Sequence, residues 1–183
     1  NVMGLWLLSE SVRTWNESVP AGKRWELTDL LTQAAALTPP EHGWVFDAND
    51  PVFLPPGDMP NRIHQWLHER GLPTPTTPVQ TVRAIIESLA HAFASAVRTA
   101  AELSGIHPEV IHIVGGGALN ELLCQRTADI SGLTVLAGPV EATAIGNLLI
   151  QARHHGWIGP ELEDLRQVVT DSFEPARYQP RTY

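Results

Sequence analysis

Residues 111–120 read Ile-His-Ile-Val-Gly-Gly-Gly-Ala-Leu-Asn, three consecutive glycines between two apolar segments. The run from Val110 to Val114 is rich in β-branched residues and predicts a strand, whereas the pattern from Ala118 to Ile130 predicts a helix. Glycine has no Cβ, so the backbone of Gly115 to Gly117 can lie against a flat ligand or a phosphate. The N–H groups of a helix start also attract negative charge. The stretch is therefore a candidate nucleotide site.

The alternation of strand and helix continues downstream. Leu133 to Leu136 predict a second short strand, and Glu141 to Arg153 predict another helix. Strands that alternate with helices usually pair in parallel, so we expect a short parallel strand pair in an α/β layer. The residues after Thr170, which include Pro175 and Pro180, predict an extended strap or a loose end.

Helices dominate the sequence upstream of the glycine stretch. Three of them are predicted over residues 2–15, 25–37 and 61–70. The clearest helix begins at Pro78, because Thr77 can cap it and Gln80 can complete a capping box, and it runs to Gly105. We therefore expect a helix-rich α/β protein with one domain over residues 1–183.

The glycine stretch fits neither of two common phosphate-binding motifs. Gly115 and Gly117 match the first two glycines of a dinucleotide fingerprint, but Asn120 occupies the place of the third. The second strand ends at Ala137-Gly138-Pro139 instead of the acidic residue that would bind a ribose. A phosphate loop would need Lys-Ser or Lys-Thr after the glycines, and neither follows. The residues alone leave open a nucleotide site or a turn that serves only tight packing.

Other polar residues are better explained by structure than by chemistry. His64 and His68 have the spacing of two zinc ligands, but Gln65 replaces the Glu of the metalloprotease motif and no third ligand is evident, so no metal site is expected. Asp50 precedes Pro51 in a turn-rich loop, where Asp ordinarily accepts hydrogen bonds from nearby backbone N–H groups.

Charge and composition exclude several classes of partner. The formal charge is −8, and the 12 Lys and Arg residues are scattered rather than clustered. The chain therefore has no basic face for nucleic acid or an anionic membrane. The only cysteine, Cys124, suits a reducing compartment as a buried, inert thiol. No apolar stretch is long enough to cross a bilayer, so we expect a cytoplasmic protein.

Several separate stretches together resemble a known family. Residues 114–120, followed by Ala-Gly-Pro-Val-Glu-Ala-Thr-Ala-Ile-Gly-Asn at 137–147, resemble the C-terminal domain of the FGGY carbohydrate kinases. Three more stretches occur in the matching order and resemble the rhamnulokinases within that family: 1–8, 53–60 and 83–89. The resemblance spans nearly the whole chain.

The resemblance implies a partial actin-like ATPase fold of the ribonuclease H-like class. In this family a sugar hydroxyl, here that of L-rhamnulose, receives the γ-phosphate of ATP with Mg²⁺ to give the sugar 1-phosphate. Gly116 would contact the nucleotide phosphates through its N–H group. Gly115 and Gly117 would leave room for the adenosine, and Asn120 would reach the base or ribose.

Two further binding residues are implied near the N-terminus. Asn1 matches a position that binds the sugar in rhamnulokinases. Ser9 stands where a Gln that contacts the nucleotide is usual, and its side chain is shorter.

The family's general base is an Asp in a His-Asp-Thr-like segment upstream of the matched part, and the sequence contains no such segment. The N-terminal phosphate loop and the hairpin with a second phosphate contact are missing too. We therefore expect a C-terminal nucleotide-binding part that lacks the N-terminal kinase lobe, holds no catalytic residue and is inactive alone. Without the family's first antiparallel strands, the strand edge at Val110 to Val114 is expected to favour self-association. The alternative is a non-catalytic actin-like module that binds a nucleotide or a partner.

Overall fold

The computed structural model describes residues 2–17, 19–40 and 43–181. Its helices are α1 Trp6–Glu17, α2 Leu27–Ala35, α3 Met59–His68, α4 Pro78–Ser104, α5 Glu121–Ser131, α6 Ala142–His154 and α7 Leu162–Ser172. Its strands are β1 Val110–Ile113, β2 Thr134–Ala137 and β3 Ala176–Tyr178, and 3₁₀ turns occupy Ala21–Lys23, Pro51–Phe53 and Gly115–Leu119. The chain divides after Ile106 into two compact units. No helix in the described ranges is long and apolar enough to cross a membrane.

The first unit is a helical layer built around α4, which contacts α1, α2 and α3. Helical periodicity places apolar side chains on one face of each helix, and these faces meet in the core. The following core side chains have no exposed surface: Leu7, Leu30, Ile63, Leu67, Ile85, Ile86 and Leu89. The helices predicted upstream of the glycine stretch are all confirmed, with ends shifted by a few residues.

Both ends of α4 follow local signals in the sequence. The hydroxyl of Thr77 accepts a hydrogen bond from the N–H of Gln80 at 3.2 Å, and Pro78 occupies the first turn. Gly105 ends the helix in the left-handed conformation, at φ +68°. The predicted capping box is wrong in one detail, because the Gln80 side chain accepts from the N–H of Thr76, at 2.8 Å, instead of that of Thr77.

The second unit contains a mixed sheet in the order β1-β2-β3. The predicted parallel pair is confirmed, with register from Val110 opposite Thr134 to Ile113 opposite Ala137. The prediction of only two strands is wrong, because β3 pairs antiparallel with β2. A three-residue strand has no period of its own to detect, so only its pairing with β2 identifies it. Since β2 is central, β1 remains an edge strand among the described residues.

Helix α7 is a second element that the sequence analysis missed. Its spacing of Leu162, Leu165 and Val169 is helical, and the carboxylate of Asp164 accepts a hydrogen bond from the N–H of Glu161 at 3.0 Å. Leu165 is its buried residue. The signal was weak because most of this helix is exposed.

Candidate nucleotide-binding site

The glycine stretch forms a separate turn before α5 begins. The prediction that the helix starts at Ala118 is wrong, because the 3₁₀ turn Gly115–Leu119 comes first and α5 starts at Glu121. Asn120 lies between them with φ −92° and ψ 88°, and its side-chain oxygen accepts a hydrogen bond from the N–H of Leu123 at 3.0 Å. An N-cap requires a non-helical backbone at this position. The turn therefore presents its own N–H groups instead of those of α5.

One amide of the turn has no partner within the described structure. A 3₁₀ helix that starts here pairs the N–H of Gly117 with the carbonyl of Val114. The N–H of Gly115 instead donates to the carbonyl oxygen of Pro139 at 3.2 Å. Gly116 is left as the residue whose N–H is free to bind a ligand.

The three glycines differ in conformation and in what an added side chain would meet. Gly115 has φ +75°, a left-handed conformation that side chains with a Cβ rarely adopt. A Cβ added to Gly117 would lie 3.5 Å from Ile113 Cγ2, which is ordinary contact. A Cβ added to Gly116 would meet no atom within 4 Å. Gly116 therefore combines a free N–H with open space for an incoming group.

The loops that follow the two parallel strands are tied to each other. Gly138, directly after β2, donates its N–H to the carbonyl of Ile113 at 2.8 Å. The bond from Gly115 to Pro139 is the second link between these loops. In open α/β sheets, ligands bind at the carboxyl ends of the strands, which is where both loops lie.

Cys124 supports the turn from the α5 side. Its fully buried thiol lies 3.8 Å from the carbonyl oxygen of Gly117 and 4.0 Å from that of Ala118, as a weak donor. Burial raises the pKa of the Cys124 thiol to about 11. The predicted burial of this residue is confirmed, and the thiol is neutral near pH 7.

Asn120 is nearly buried, with 6% of its surface exposed. Its side-chain oxygen is occupied by the N-cap bond to Leu123. The amide NH₂ group is the part of this side chain that remains available to a base or a ribose.

A cleft of about 1200 Å³ lies along one face of the second unit. His112 and Leu136 from the sheet line it, together with Ala118 and Leu119 of the glycine turn, residues that follow β2 and the C-terminal end of α7. Its carboxylate side chains, Glu141, Asp171 and Glu174, disfavour a phosphate there. The cleft therefore borders the glycine turn, and its carboxylates place any phosphate site at the glycines and not in the cleft itself.

The other implied binding residues lie in the N-terminal part of the chain. Ser9 is on α1, exposed, and its hydroxyl donates to the carbonyl of Leu5 at 3.4 Å. Asn1 lies outside the described residues, so its predicted role in sugar binding stays a prediction.

No metal site is found among the described residues, which contain no group of three or more His, Cys, Asp or Glu side chains that could hold an ion. The His64 and His68 rings stack on each other at 6.1 Å between centroids. Asp50 accepts hydrogen bonds from the N–H of Val52 at 3.0 Å and from Trp66 Nε1 at 2.8 Å, and these bonds lower its pKa. The structural interpretation of Asp50 is confirmed.

Two residues that shape the turn were not predicted as part of the site. The carbonyl oxygen of Pro139 accepts the hydrogen bond from the Gly115 N–H, and the Cys124 thiol contacts the carbonyls of the turn. The position of Pro139 directly after the second predicted strand was a usable signal, because loops after parallel strands meet at the same sheet edge. No sequence signal predicts the contact of Cys124 with the turn, because an apolar position on a helix does not show which residues it packs against.

Comparison with known proteins agrees with this geometry. Residues 1–155 match the model of the C-terminal domain of the FGGY family of carbohydrate kinases. The chain is 34% identical over 178 residues to a rhamnulokinase of Halalkalibacterium halodurans, covering 97% of this chain and 36% of that protein. It is 35% identical over 182 residues to a rhamnulokinase of Enterobacter sp., covering 100% of this chain and 35% of that protein.

A rhamnulokinase of Bacteroides thetaiotaomicron is 34% identical over 181 residues, covering 99% of this chain and 35% of that protein. The chain thus spans about a third of the length of these curated relatives. The resemblance seen in the sequence is confirmed, and the chain belongs to the FGGY family of carbohydrate kinases through its C-terminal domain.

Proposed function

We propose that this chain is the nucleotide-holding part of an ATP-dependent sugar kinase. The reaction is transfer of the γ-phosphate of ATP to a sugar hydroxyl. The observation that carries the proposal is Gly116, whose N–H has no partner in the turn and where an added Cβ would meet no atom within 4 Å. The names of the relatives favour L-rhamnulose as the sugar and L-rhamnulose 1-phosphate as the product.

The turn would act by positioning. Phosphoryl transfer depends mainly on the placement of the phosphates and on the stabilisation of their charge. The Gly116 N–H would donate to a phosphate oxygen, which the absence of a side chain allows to approach closely. Asn120 would offer its NH₂ group to the base or ribose, with Gly115 and Gly117 leaving space for the adenosine. Ser9 is proposed as a nucleotide contact on the family resemblance alone.

Magnesium would arrive with the nucleotide. Mg²⁺ keeps several waters and binds through substrate phosphates plus one or two carboxylates. The described residues contain no group of three or more His, Cys, Asp or Glu that could build a site for it.

The fold we propose for the complete kinase region is an actin-like ATPase of the ribonuclease H-like class. Support comes from the many helices, from the mixed sheet and from the edge of β1, which is unpaired within the described residues and could accept further strands. The sugar, the general base and the second lobe are proposals of the same kind, and Asn1 is the residue we propose for sugar contact.

Calorimetric titration with ADP tests the assignment of the turn. We expect weak binding by the chain and its loss in Gly116→Val, because the branched side chain would fill the space that the phosphates need. Gly22→Val is the matched control, since a Cβ there also meets no atom within 4 Å. Equal affinity in the wild type and Gly116→Val would contradict the assignment.

A coupled ADP-release assay separates the turn from the chemistry. We expect no rhamnulose-dependent turnover by these 183 residues alone, since a general base is commonly worth about 10² to 10⁴ in rate. Robust turnover that depends on the sugar would show that a base lies within this chain. Nucleotide binding without turnover, both here and in the complete protein, would favour the non-catalytic module.

A further inference from the structure

The C-terminal segment lies beyond the residues that match the family domain, yet it contacts both supports of the glycine turn. We propose that residues 175–181, the C-terminal strap, position this turn for nucleotide binding, with Tyr178 as the positioning residue. The proposal rests on the nucleotide-binding function proposed above.

Backbone pairing fixes the strap to the centre of the sheet. In β3, Ala176 is opposite Ala137 and Tyr178 is opposite Val135. Strand β2 also pairs with β1 on its other side. The strap is therefore connected through β2 to β1, the strand that leads into the turn.

Side-chain hydrogen bonds hold the far end of the strap. Gln125 Nε2 donates to the carbonyl oxygen of Gln179 at 2.8 Å. The hydroxyl of Thr134 donates to Gln179 Oε1 at 2.9 Å, and the N–H of Arg181 donates to the Asp129 carboxylate at 2.9 Å. The strap is thus tied to α5 and β2 at three points beyond the strand pairing.

The first link to the turn runs through Pro175. Its Cα lies 3.9 Å from the position of a Cβ on Gly138, so the strap backbone lies directly against that glycine. Gly138 donates to Ile113, and the adjoining Pro139 accepts from Gly115. Pro175 therefore packs against the loop that fixes the first residue of the turn.

The second link runs through Tyr178. Its ring packs against a buried cluster formed by Cys124, Ala128, Val135 and Ala137. Within this cluster, Cys124 contacts the carbonyls of Gly117 and Ala118. Burial raises the pKa of the Tyr178 phenol, consistent with a neutral ring that closes this cluster. Tyr178 therefore acts on the turn through the Cys124 side chain.

A turn of three glycines needs such supports. Glycine loses more conformational freedom on ordering than other residues, so an unsupported turn would present the Gly116 N–H in many directions. A ligand then has to order the turn when it binds, which weakens affinity. Anchoring both ends removes that cost before the nucleotide arrives.

The test compares Tyr178→Ala with Tyr178→Phe in the 183-residue chain. We expect Tyr178→Ala to weaken ADP binding about 2- to 30-fold, the range for residues that support a site without touching the ligand. Tyr178→Phe keeps the ring and should bind as the wild type does. A folded Tyr178→Ala variant with unchanged affinity would overturn the proposal.

Hydrogen exchange without nucleotide tests the same point independently of the proposed function. Amides of residues 115–119 should exchange faster in Tyr178→Ala than in the wild type. The matched control is Leu165→Ala, which truncates a buried side chain in α7, outside the strap, and should leave these amides unchanged. Equal exchange of the turn in Tyr178→Ala and the wild type would overturn the strap's role.

Failure of the proposed function can be distinguished from failure of the strap's role. If neither the wild type nor Gly116→Val binds ADP, the proposed function fails, and the exchange data alone decide the role of the strap. If Tyr178→Ala does not fold, Gln125→Met replaces it, because that variant removes the donor to Gln179 without opening a cavity. Faster exchange at residues 115–119 in Gln125→Met supports the proposal, and unchanged exchange contradicts it.

Discussion

Gly115 donates its backbone N–H to the carbonyl oxygen of Pro139 at 3.2 Å, which joins the loops that follow the two parallel strands. This bond holds the first glycine in its left-handed conformation, at φ +75°. It also takes the Gly115 N–H away from any ligand, so that Gly116 becomes the donor that the turn offers. The relationship turns a flexible run of glycines into a site with one defined donor.

Asn120 has two roles that mutation can separate: its side-chain oxygen caps α5, and its NH₂ group is proposed to contact the nucleotide. We expect Asn120→Ala to lower the free energy of unfolding by about 1 kcal/mol, because the N–H of Leu123 loses its acceptor. Asn120→Asp keeps a side-chain oxygen at the cap and should retain stability while it weakens ADP binding through loss of the NH₂ group. Denaturant unfolding and calorimetry measure the two effects. Full ADP affinity in Asn120→Asp would show that the NH₂ group contacts no ligand.

Arg83 joins α4 to the end of α2. Its guanidinium donates to Glu87 Oε1 at 2.7 Å and to the carbonyls of Ala34 and Leu37, each at 2.8 Å. Arg83→Met should lower the free energy of unfolding by about 1 to 3 kcal/mol, because it removes a buried ion pair with Glu87 and leaves two buried carbonyls without this donor. The exposed Arg98, on the same helix, is the control, and Arg98→Met should change stability by less than about 0.5 kcal/mol. Similar losses in both variants would contradict a special role of Arg83.

The Glu10 carboxylate makes the free energy of unfolding fall at acid pH. Hydrogen bonds from Arg13 and from the N–H of Gly57 lower its pKa from 4.5 to about 2. The folded state thus binds the proton more weakly than the unfolded state, so the stabilisation is complete above about pH 5 and is lost as the pH falls towards 2. Thermal melts from pH 6 to pH 2 should show a steeper decline in the wild type than in Glu10→Gln. Parallel curves for the two proteins would contradict this assignment.

The open edge of β1 predicts self-association. Within the described residues β1 pairs on one side only, and such an edge can recruit another strand. Light scattering across a concentration series should show a mass that rises with concentration. Val110→Lys should reduce this association, because a charge on an edge strand opposes pairing, whereas Leu103→Lys removes an exposed apolar side chain in the other unit and should not. A monomer at all concentrations would contradict the prediction.

Much of the fold was readable because its signals are local. Thr77, Pro78 and Gly105 bound α4 through their own backbone preferences. The two apolar runs on either side of α5 likewise required a parallel pair, and the structure places them side by side. The candidate nucleotide turn followed from the glycines themselves, because no other residue lets backbone approach a ligand so closely.

Local signals identified every described helix except α7, the place of the glycine turn and the family that the chain resembles, because propensity, capping and motifs act over a few residues. The folded chain was needed to show that β3 joins the sheet, that the Gly115 N–H is taken by Pro139 and that Cys124 contacts the turn carbonyls. The first two of these depend on a partner distant in sequence: Val135 for Tyr178, and Pro139 for Gly115. Such pairings come from packing the whole chain, and a local pattern carries no record of them.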